Sequence, residues 1–404
     1  MLTTIDAQLP GLEGVPATSR RSALGPIAKA TAFLDRVDPG THRRVKGLRL
    51  VTSYGIAAML GTLLGSTYRI PGNALLASLA GGFALWASVS EGQSARALSA
   101  RDLGLFSAAG VLGALSMLAF APVFGRHGWP GPELTLVTGS FLVGYLRRFG
   151  ILGAGIGSQV YIGQLLVYGA GSTRVTSPMI LIAGVIAAVA AIVPRLLSGP
   201  AEHPIPVLAV APKCATTGGV LSPEVRMGLQ AAIAALVIVL LNDRFGLKES
   251  AWAIAACTYV IAASTTGTVD RVHRRIVGTV IAVPLGLACL PMVLHAPILG
   301  WVMAAVAMIV YAMALPERYD IACGAYAFAL VVTLAISGDT STVVLASRAW
   351  ETVIGGILGL GAATFILPLR SSPPNGKSTG LTEMAQCTGT LRPSGFLRKG
   401  RSSG

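Results

Sequence analysis

The stretch SPMILIAGVIAAVAAIVPRLL, residues 177–197, decides the fold class. It contains one charged residue, Arg195, which lies close to its end. A helix needs about 20 mainly apolar residues to cross the hydrocarbon core of a bilayer, and this stretch has that length. Because a segment in lipid must satisfy its backbone hydrogen bonds internally, the stretch predicts a transmembrane α-helix.

Apolar stretches of similar length recur from residue 48 to residue 369, and we predict twelve spans. Their approximate bounds are 48–66, 73–90, 103–124, 133–148, 150–170, 177–197, 225–242, 250–267, 276–294, 297–315, 320–338 and 349–369. The fourth and fifth spans almost touch, which fits either a tight hairpin or a broken pair. Only 12% of the residues are charged, whereas a soluble domain has about 25%. The predicted fold class is therefore an all-α polytopic membrane protein.

The basic residues predict the orientation of the chain. If the amino terminus is cytoplasmic and the spans alternate, 25 of the 31 Lys and Arg residues fall on the cytoplasmic side. The positive-inside rule then predicts a multi-pass protein of the cell inner (plasma) membrane with both termini cytoplasmic. The net charge of +14 fits basic residues in loops and tails that attract anionic lipid headgroups. Nucleic acid is not an expected partner, because the basic stretches lack interleaved aromatic residues and any nucleic-acid motif.

Two short motifs recur at matching places and predict an internal repeat. KGLR at 46–49 precedes the first span and MGLQ at 227–230 precedes the seventh. R-x-x-G occurs at 101–104 before the third span and at 275–278 before the ninth, which suggests similar roles for the two arginines. Because six spans is an even number, the two halves would be parallel repeats.

The predicted organisation has five segments. They are a cytoplasmic N-terminal segment 1–46, a first six-helix half 47–199, a cytoplasmic linker 200–223, a second six-helix half 224–370 and a disordered cytoplasmic tail 371–404. Residues 24–45 mix apolar and basic residues, which fits either an amphipathic helix on the membrane surface or a disordered tail.

No motif for catalysis or metal binding is present. The five cysteines contain no C-x-x-C pair, and H-E-x-x-H and G-x-S-x-G do not occur. We therefore predict that the protein is not an enzyme and has no catalytic residues, metal or cofactor.

Arginines near the span entrances are the first candidates for a substrate site, because a charge within the bilayer is costly. Arg49 opens the first span, Arg101 opens the third, and Arg271, Arg274 and Arg275 precede the ninth. The last three are spaced i, i+3, i+4 and so share one helical face, which could hold an anion. The alternative is that they bind lipid phosphate or fix the topology.

Two further groups of polar residues lie in or beside the spans. Arg348 and Glu351, at i and i+3, form either a local ion pair or a proton-sensitive pair that releases Arg348 to bind an anion. The fifth span carries Gln159, Tyr161, Gln164 and Tyr168. These four residues could line a polar pathway, or they could hydrogen-bond between helices.

Four stretches resemble the fusaric acid resistance-like (FUSC) family, whose members are also described as integral membrane bound transporter domains. The stretches are RMGLQ at 226–230, SAWAIAA at 250–256, RRIVGTVIAVPLG at 274–286 and RAWETVIGGILG at 348–359. The run R-x-x-G-T-x-x-G-x-x-x-G, typical of the family, is present from Arg275 to Gly286 with Ala282 at the middle glycine.

The resemblance implies an exporter of small aromatic or other weak organic acids, similar to aromatic acid exporters. It also implies a periplasmic adaptor protein and an outer-membrane channel as partners. Larger exporters of this kind carry a sizeable cytoplasmic domain, whereas residues 198–224 form only a short linker here. An anion channel and a non-transporting membrane scaffold or assembly protein are the alternative functions, and a homo-oligomer is left open. The lipid bilayer and a small organic anion are the expected partners.

Overall fold

The computed structural model describes residues 38, 42–69, 72–92, 95–126, 131–198, 221–247, 250–315, 317–338 and 341–368. Every regular element within these ranges is helical. The α-helices are α1 (His42–Thr67), α2 (Asn73–Ser90), α3 (Arg96–Arg126), α4 (Leu134–Tyr145), α5 (Gly150–Ala170), α6 (Ser177–Leu197), α7 (Pro223–Phe245), α8 (Ser250–Val260), α9 (Thr265–Ala288), α10 (Leu290–His295), α11 (Pro297–Ala314), α12 (Tyr319–Ile336) and α13 (Thr342–Phe365). The described residues all belong to one compact unit. The predicted tail, residues 24–37 of the predicted amphipathic segment and most of the predicted linker lie outside the described residues.

Eight helical stretches in the described part of the chain are long and apolar enough to cross a membrane. One of these stretches combines α4 and α5, and the other seven are α1, α3, α6, α7, α11, α12 and α13. Helices α2 and α8 are apolar but shorter, and α9 contains three of the predicted arginines. The chain is thus an all-α, multi-pass membrane protein, as predicted. The count of twelve spans in two repeats stays a prediction.

The fourth and fifth spans form a tight hairpin. A 3₁₀ turn, Leu146–Phe149, follows α4, and Gly150 has a φ of 72°, a conformation that favours glycine. A Cβ at Gly157 would lie 2.5 Å from the carbonyl oxygen of Leu142, and one at Gly153 would lie 2.2 Å from that of Leu146. Going forward along α5 from Gly153 to Gly157, the contacted residue moves backward along the chain from Leu146 to Leu142. Glycine therefore allows the antiparallel backbones to pack closely.

The predicted boundary between the eighth and ninth spans was wrong. We predicted that the eighth span would reach residue 267, whereas α8 ends at Val260 and α9 begins at Thr265. The side chain of Ser264 accepts a hydrogen bond of 3.1 Å from the backbone N–H of Gly267, which caps the new helix. Because α9 begins so early, Arg271, Arg274 and Arg275 lie inside a helix rather than in front of one.

Six pairs of neighbouring helices recur in the two halves when α10 is set aside. In each half the first helix packs on the second and sixth, the third on the fifth and sixth, the second on the sixth, and the fourth on the fifth. The fourth helix of each half also packs on the first helix of the other half, as α4 on α7 and α11 on α1. This correspondence supports the predicted repeat.

Matching glycines lie at these two crossings between the halves. A Cβ at Gly47 of α1 would be 3.1 Å from Ile309 of α11. A Cβ at Gly228 of α7 would be 2.8 Å from the carbonyl oxygen of Phe141 in α4. These glycines are the second residues of the KGLR and MGLQ motifs, so that part of the repeated sequence serves close helix packing.

Candidate functional site: a cavity lined by arginine and aromatic residues

A cavity of about 1300 Å³ lies between the two halves, and both contribute to its lining. Its lining includes Leu315 after α11 and Asp270 near the start of α9, at one end of the helices. It also includes Thr173 in the α5–α6 turn and Ser337 after α12, at the opposite end. We call these the basic end and the far end. The cavity thus extends along the helices from one end to the other.

The charged residues that line this cavity are mainly arginines. They are Arg147, Arg271, Arg274, Arg275 and Arg348, with Asp270 as the acidic residue among the described lining. An excess of one sign of charge between low-dielectric walls concentrates ions of the opposite sign. The electrostatics of the cavity therefore favour an anion.

Two of the arginines at the basic end are partly engaged by the protein. Arg274 Nε donates to Asp270 Oδ1 at 2.9 Å, and its Nη1 donates to the carbonyl oxygen of Glu317 at 3.0 Å. Arg271 Nη1 donates to the carbonyl oxygen of Ile261 at 3.4 Å. At the same end Arg43 donates to the Glu317 side chain, and this hydrogen bond holds the pKa of the Glu317 carboxyl below its ordinary value.

Arg275 is less engaged. Its Nη1 lies 3.5 Å from the hydroxyl of Tyr319, at the limit of a hydrogen bond. Its Nε is buried and has no hydrogen-bond partner among the described residues. A buried donor without a partner costs free energy. Arg275 is thus less engaged by protein hydrogen bonds than Arg274.

Arg348 lies in the same cavity beside aromatic rings. Its guanidinium is 4.5 Å from the ring centroid of Trp252, and the residue is 7% exposed. Trp252 is 6.4 Å from Tyr326, and Tyr326 is 5.3 Å from Trp86 and 6.1 Å from Tyr311. Such edge and tilted geometries are typical of favourable aromatic contacts.

The aromatic residues in the described lining of the cavity are all tyrosine or tryptophan. These are Tyr54, Trp86, Tyr168, Trp252, Tyr259, Trp301, Tyr311, Tyr319 and Tyr326. Each ring offers an apolar face and a polar edge, so it can contact an aromatic ligand and still donate a hydrogen bond. Together with the arginines, this lining suits a small anion that carries a ring.

Five of the residues predicted from the sequence line the cavity. They are Tyr168, Arg271, Arg274, Arg275 and Arg348. Arg101 is outside the described lining; its side chain is 57% exposed and pairs with the buried Asp102 at 2.9 Å. The shared R-x-x-G motif therefore does not place Arg101 and Arg275 in similar surroundings. Glu351 is buried in α13, also outside this lining.

Gln159 and Gln164 of the fifth span hydrogen-bond between helices, which was the alternative to a polar pathway. Gln159 Nε2 donates to Ser90 Oγ of α2 at 2.9 Å. Gln164 Nε2 donates to Ser116 of α3 and to Thr138 of α4, at 3.1 and 3.2 Å. The ring of Tyr161, fully buried, packs edge-on against Tyr259 with centroids 5.8 Å apart.

Arg49 belongs to a buried ionic cluster at the basic end. Its Nη2 lies 2.6 Å from Glu91 Oε2, and both side chains are almost fully buried. Glu91 also accepts a hydrogen bond from Ser99 at 2.8 Å and lies 3.8 Å from Arg195 of α6. We had not predicted Glu91 or Arg195 as partners. Arg49 therefore joins α1 to α2 and α6.

Several cavity residues were missed, among them Arg147, Trp86, Tyr311 and Tyr326. The available signal was the number of tyrosines and tryptophans inside apolar spans, where phenylalanine or leucine would suffice for packing. No group of three or more His, Cys, Asp or Glu that could hold a metal ion occurs in the described part of the chain.

Comparison with known proteins agrees with the sequence of the second half. Residues 231–362 match the family model described as fusaric acid resistance protein-like. Comparisons with curated proteins and with solved structures found no match. The matched segment covers α8, α9, α11 and α12 and most of α7 and α13, which carry four of the five cavity arginines. The resemblance read from the sequence is thus confirmed by a match over residues 231–362 to the fusaric acid resistance protein-like family model.

Proposed function

We propose that this protein transports small organic anions, either aromatic or other weak acids, out of the cell across its inner (plasma) membrane. The observation that carries the proposal is the cavity. It reaches both ends of the helices, and arginine, tyrosine and tryptophan dominate its polar and aromatic lining. The match of residues 231–362 to a family named for resistance to an organic acid supports the same substrate class.

The positions of the arginines suggest how the anion is handled. Arg271, Arg274 and Arg275 at the basic end raise the local anion concentration. The guanidinium of Arg275, which lines the cavity, gives the carboxylate a charge-assisted hydrogen bond. Further along the cavity, Arg348 and the rings of Trp252, Tyr326 and Trp86 contact the ring and charge of the passing anion.

The direction of transport follows from the predicted topology. If both termini are cytoplasmic, the basic end faces the cytoplasm, where an exported anion is collected. A monovalent anion that leaves a negative-inside cell gains about 2.3 kcal/mol per 100 mV of membrane potential. In this proposal a periplasmic adaptor protein and an outer-membrane channel could continue the route, although the linker at 198–224 is short.

An anion channel is a second candidate, because the cavity lining includes residues at both ends of the helices. The two mechanisms differ in rate and in coupling. A channel gives single-channel current in planar bilayers under a voltage alone. A coupled transporter gives slower flux that depends on a counter-ion gradient.

The proposal is tested by flux of radiolabelled benzoate into vesicles that contain the purified protein. We expect Arg275→Ala to lower flux per inserted molecule about tenfold or more, since a hydrogen bond to a charged group contributes about 1.5–3 kcal/mol. Arg101→Ala is the matched control, because Arg101 is exposed and outside the described cavity lining. Wild-type flux should also fall as ionic strength rises.

Two outcomes would contradict the proposal. Wild-type vesicles that take up benzoate no faster than empty vesicles would favour a scaffold. Equal normalised flux in the wild type, Arg275→Ala and Arg101→Ala would show that the arginines serve topology or lipid binding. Normalisation to correctly inserted protein separates these effects from poor expression.

A further inference from the structure

Arg147 is the arginine that the first half contributes to the described lining of the cavity. It lies in the 3₁₀ turn Leu146–Phe149, just after α4. Helix α4 approaches α7 so closely here that a Cβ at Gly144 would clash with the backbone nitrogen of Gly228. The Arg147 side chain therefore lies against α7, where its Nη1 is 4.0 Å from the sulfur of Met227. A thioether is a weak acceptor, so this contact leaves Arg147 able to bind a stronger one.

Arg271 of the second half contacts the same small patch. Its Nη1 donates to the carbonyl oxygen of Ile261 at 3.4 Å. Ile261 and Met227 are packed together in one buried apolar cluster. The guanidinium groups of Arg147 and Arg271 therefore lie beside one patch, close enough for their charges to interact. Like charges repel, and an anion between them replaces that repulsion with two attractions.

The protein itself supplies little negative charge at this place. The acidic residue of the described lining, Asp270, is already paired with Arg274 at 2.9 Å. Arg275, one turn along α9 from Arg271, contacts a neutral tyrosine hydroxyl at 3.5 Å. Among the described residues no carboxylate pairs with Arg147, Arg271 or Arg275. The basic end of the cavity thus brings together arginines of both halves without a carboxylate to neutralise them.

We propose that Arg147 completes a carboxylate-binding site that is shared by the two halves. The carboxylate of a small organic acid lies between Arg147 and Arg271, with one oxygen toward each guanidinium, and Arg275 binds it from the next turn of α9. Charge-assisted hydrogen bonds of this kind are strong and directional. The inference rests on the proposed function for the choice of ligand. It adds to that function a binding residue outside the segment that matches the family.

The test measures benzoate binding to the purified full-length protein in a neutral detergent by calorimetry. We expect Arg147→Gln and Arg271→Gln each to raise the benzoate Kd about tenfold, because each loses a hydrogen bond to a charged group. Arg148→Gln is the matched control in the same turn. Arg148 is exposed, lies outside the described lining and donates to the hydroxyl of Tyr145 at 2.8 Å, so its variant should bind benzoate as the wild type does. A wild-type Kd in Arg147→Gln would overturn the proposal.

The melting temperature separates a binding role from a structural one. Benzoate should raise the Tm of the wild type, since it binds the folded protein. Without benzoate, Arg147→Gln should melt no lower than the wild type, because the substitution removes one of two like charges. A protein with Arg147→Gln that melts lower and still binds benzoate normally would show that Arg147 is structural, which would also overturn the proposal.

The double variant tests whether one carboxylate contacts both arginines. Two independent tenfold effects would multiply to about a hundredfold. A carboxylate that has lost one anchor is held less precisely by the other, so we expect Arg147→Gln with Arg271→Gln to raise the Kd only about twentyfold. A full hundredfold loss would indicate two separate sites and would contradict the shared one.

Two further measurements keep the proposal falsifiable. If Arg147→Gln does not fold, Arg147→Lys keeps the charge but loses the planar fork, and its benzoate Kd should lie between those of the wild type and Arg271→Gln. An unchanged Kd would count against the site. An anionic lipid headgroup offers similar oxygens, so phosphatidylglycerol is titrated in parallel. Stabilisation through Arg147 by phosphatidylglycerol but not by benzoate would assign the site to lipid and overturn the proposal.

The binding measurements require no transport, so the two proposals can fail separately. Benzoate binding that depends on Arg147 and Arg271, in a protein without benzoate flux, would refute the proposed function alone. Benzoate flux together with wild-type binding in both single variants would refute only the shared site.

Discussion

Arg49 and Gln230 are the last residues of the matching motifs KGLR and MGLQ, and each is the eighth residue of the first helix of its half. Arg49 binds Glu91, which in turn lies close to Arg195 near the end of the sixth helix. Gln230 donates to the carbonyl oxygens of Ile366 and Leu367, at the end of the sixth helix of the second half, at 2.9 and 3.2 Å. The same two helices are thus joined by ions in one half and by an amide in the other.

The comparison shows that helix packing and local chemistry have separate requirements. The neighbouring helices correspond in the two halves, so the packing does not depend on which polar contact is used. A buried ion pair, however, makes each charge dependent on the other, because a buried unpaired charge is costly. A side-chain amide bound to backbone carbonyls is neutral, so loss of the contact leaves no unpaired buried charge.

The largest expected effect is in the ionic half. Arg49→Met leaves Glu91 without its closest cation and should lower the free energy of unfolding by about 3–5 kcal/mol. Thermal unfolding of the purified protein in detergent measures the loss. Arg174→Met, at an exposed arginine, is the control and should change little. A loss below about 1 kcal/mol for Arg49→Met would show that the ion pair is no more demanding than an amide contact.

A smaller effect is expected at the two crossings between the halves. Gly228→Ala places a methyl group 2.8 Å from a backbone oxygen of Phe141, so a helix must shift, and we expect a loss of about 2 kcal/mol. Gly47→Ala meets Ile309 at 3.1 Å, where the contact is less severe, and should cost less. The same unfolding measurement compares the two. Equal losses would indicate that the two crossings tolerate substitution alike.

The smallest effect is expected in the amide half. Gln230→Leu removes hydrogen bonds to two carbonyl groups without creating an unpaired charge, and should cost about 1 kcal/mol. It is measured beside Arg49→Met under identical conditions. If Gln230→Leu proved as damaging as Arg49→Met, the contrast between ionic and neutral joints would be untenable.

The positions of the helices were largely predictable from the sequence, because a spanning helix must be long and apolar throughout. The break after Val260 was not, since Ile261 and Ala262 are as apolar as the helix before them. Only the capping side chain of Ser264 marks the start of α9.

The cavity was predictable only in part. Helical spacing shows which residues share a face, but not whether that face meets another helix or an open space. Ser158 and Gln159 illustrate the limit. Ser158 lines the cavity and lies 2.8 Å from the hydroxyl of Tyr259, whereas its neighbour Gln159 hydrogen-bonds to α2. Which of the two side chains faces the cavity depends on how α5 packs against its neighbours, and the residue types alone do not show this.

Helix α8 has eleven residues and is therefore about 16 Å long, little more than half the thickness of a hydrocarbon core of about 30 Å. Nine of its residues are buried, and the remaining two, Trp252 and Tyr259, line the cavity. Neighbouring helices shield it, so hydrophobic mismatch with thick or thin bilayers acts on the outer helices instead. The position of α8, and with it the contact between Trp252 and Arg348, should therefore not depend on the acyl-chain length of the membrane.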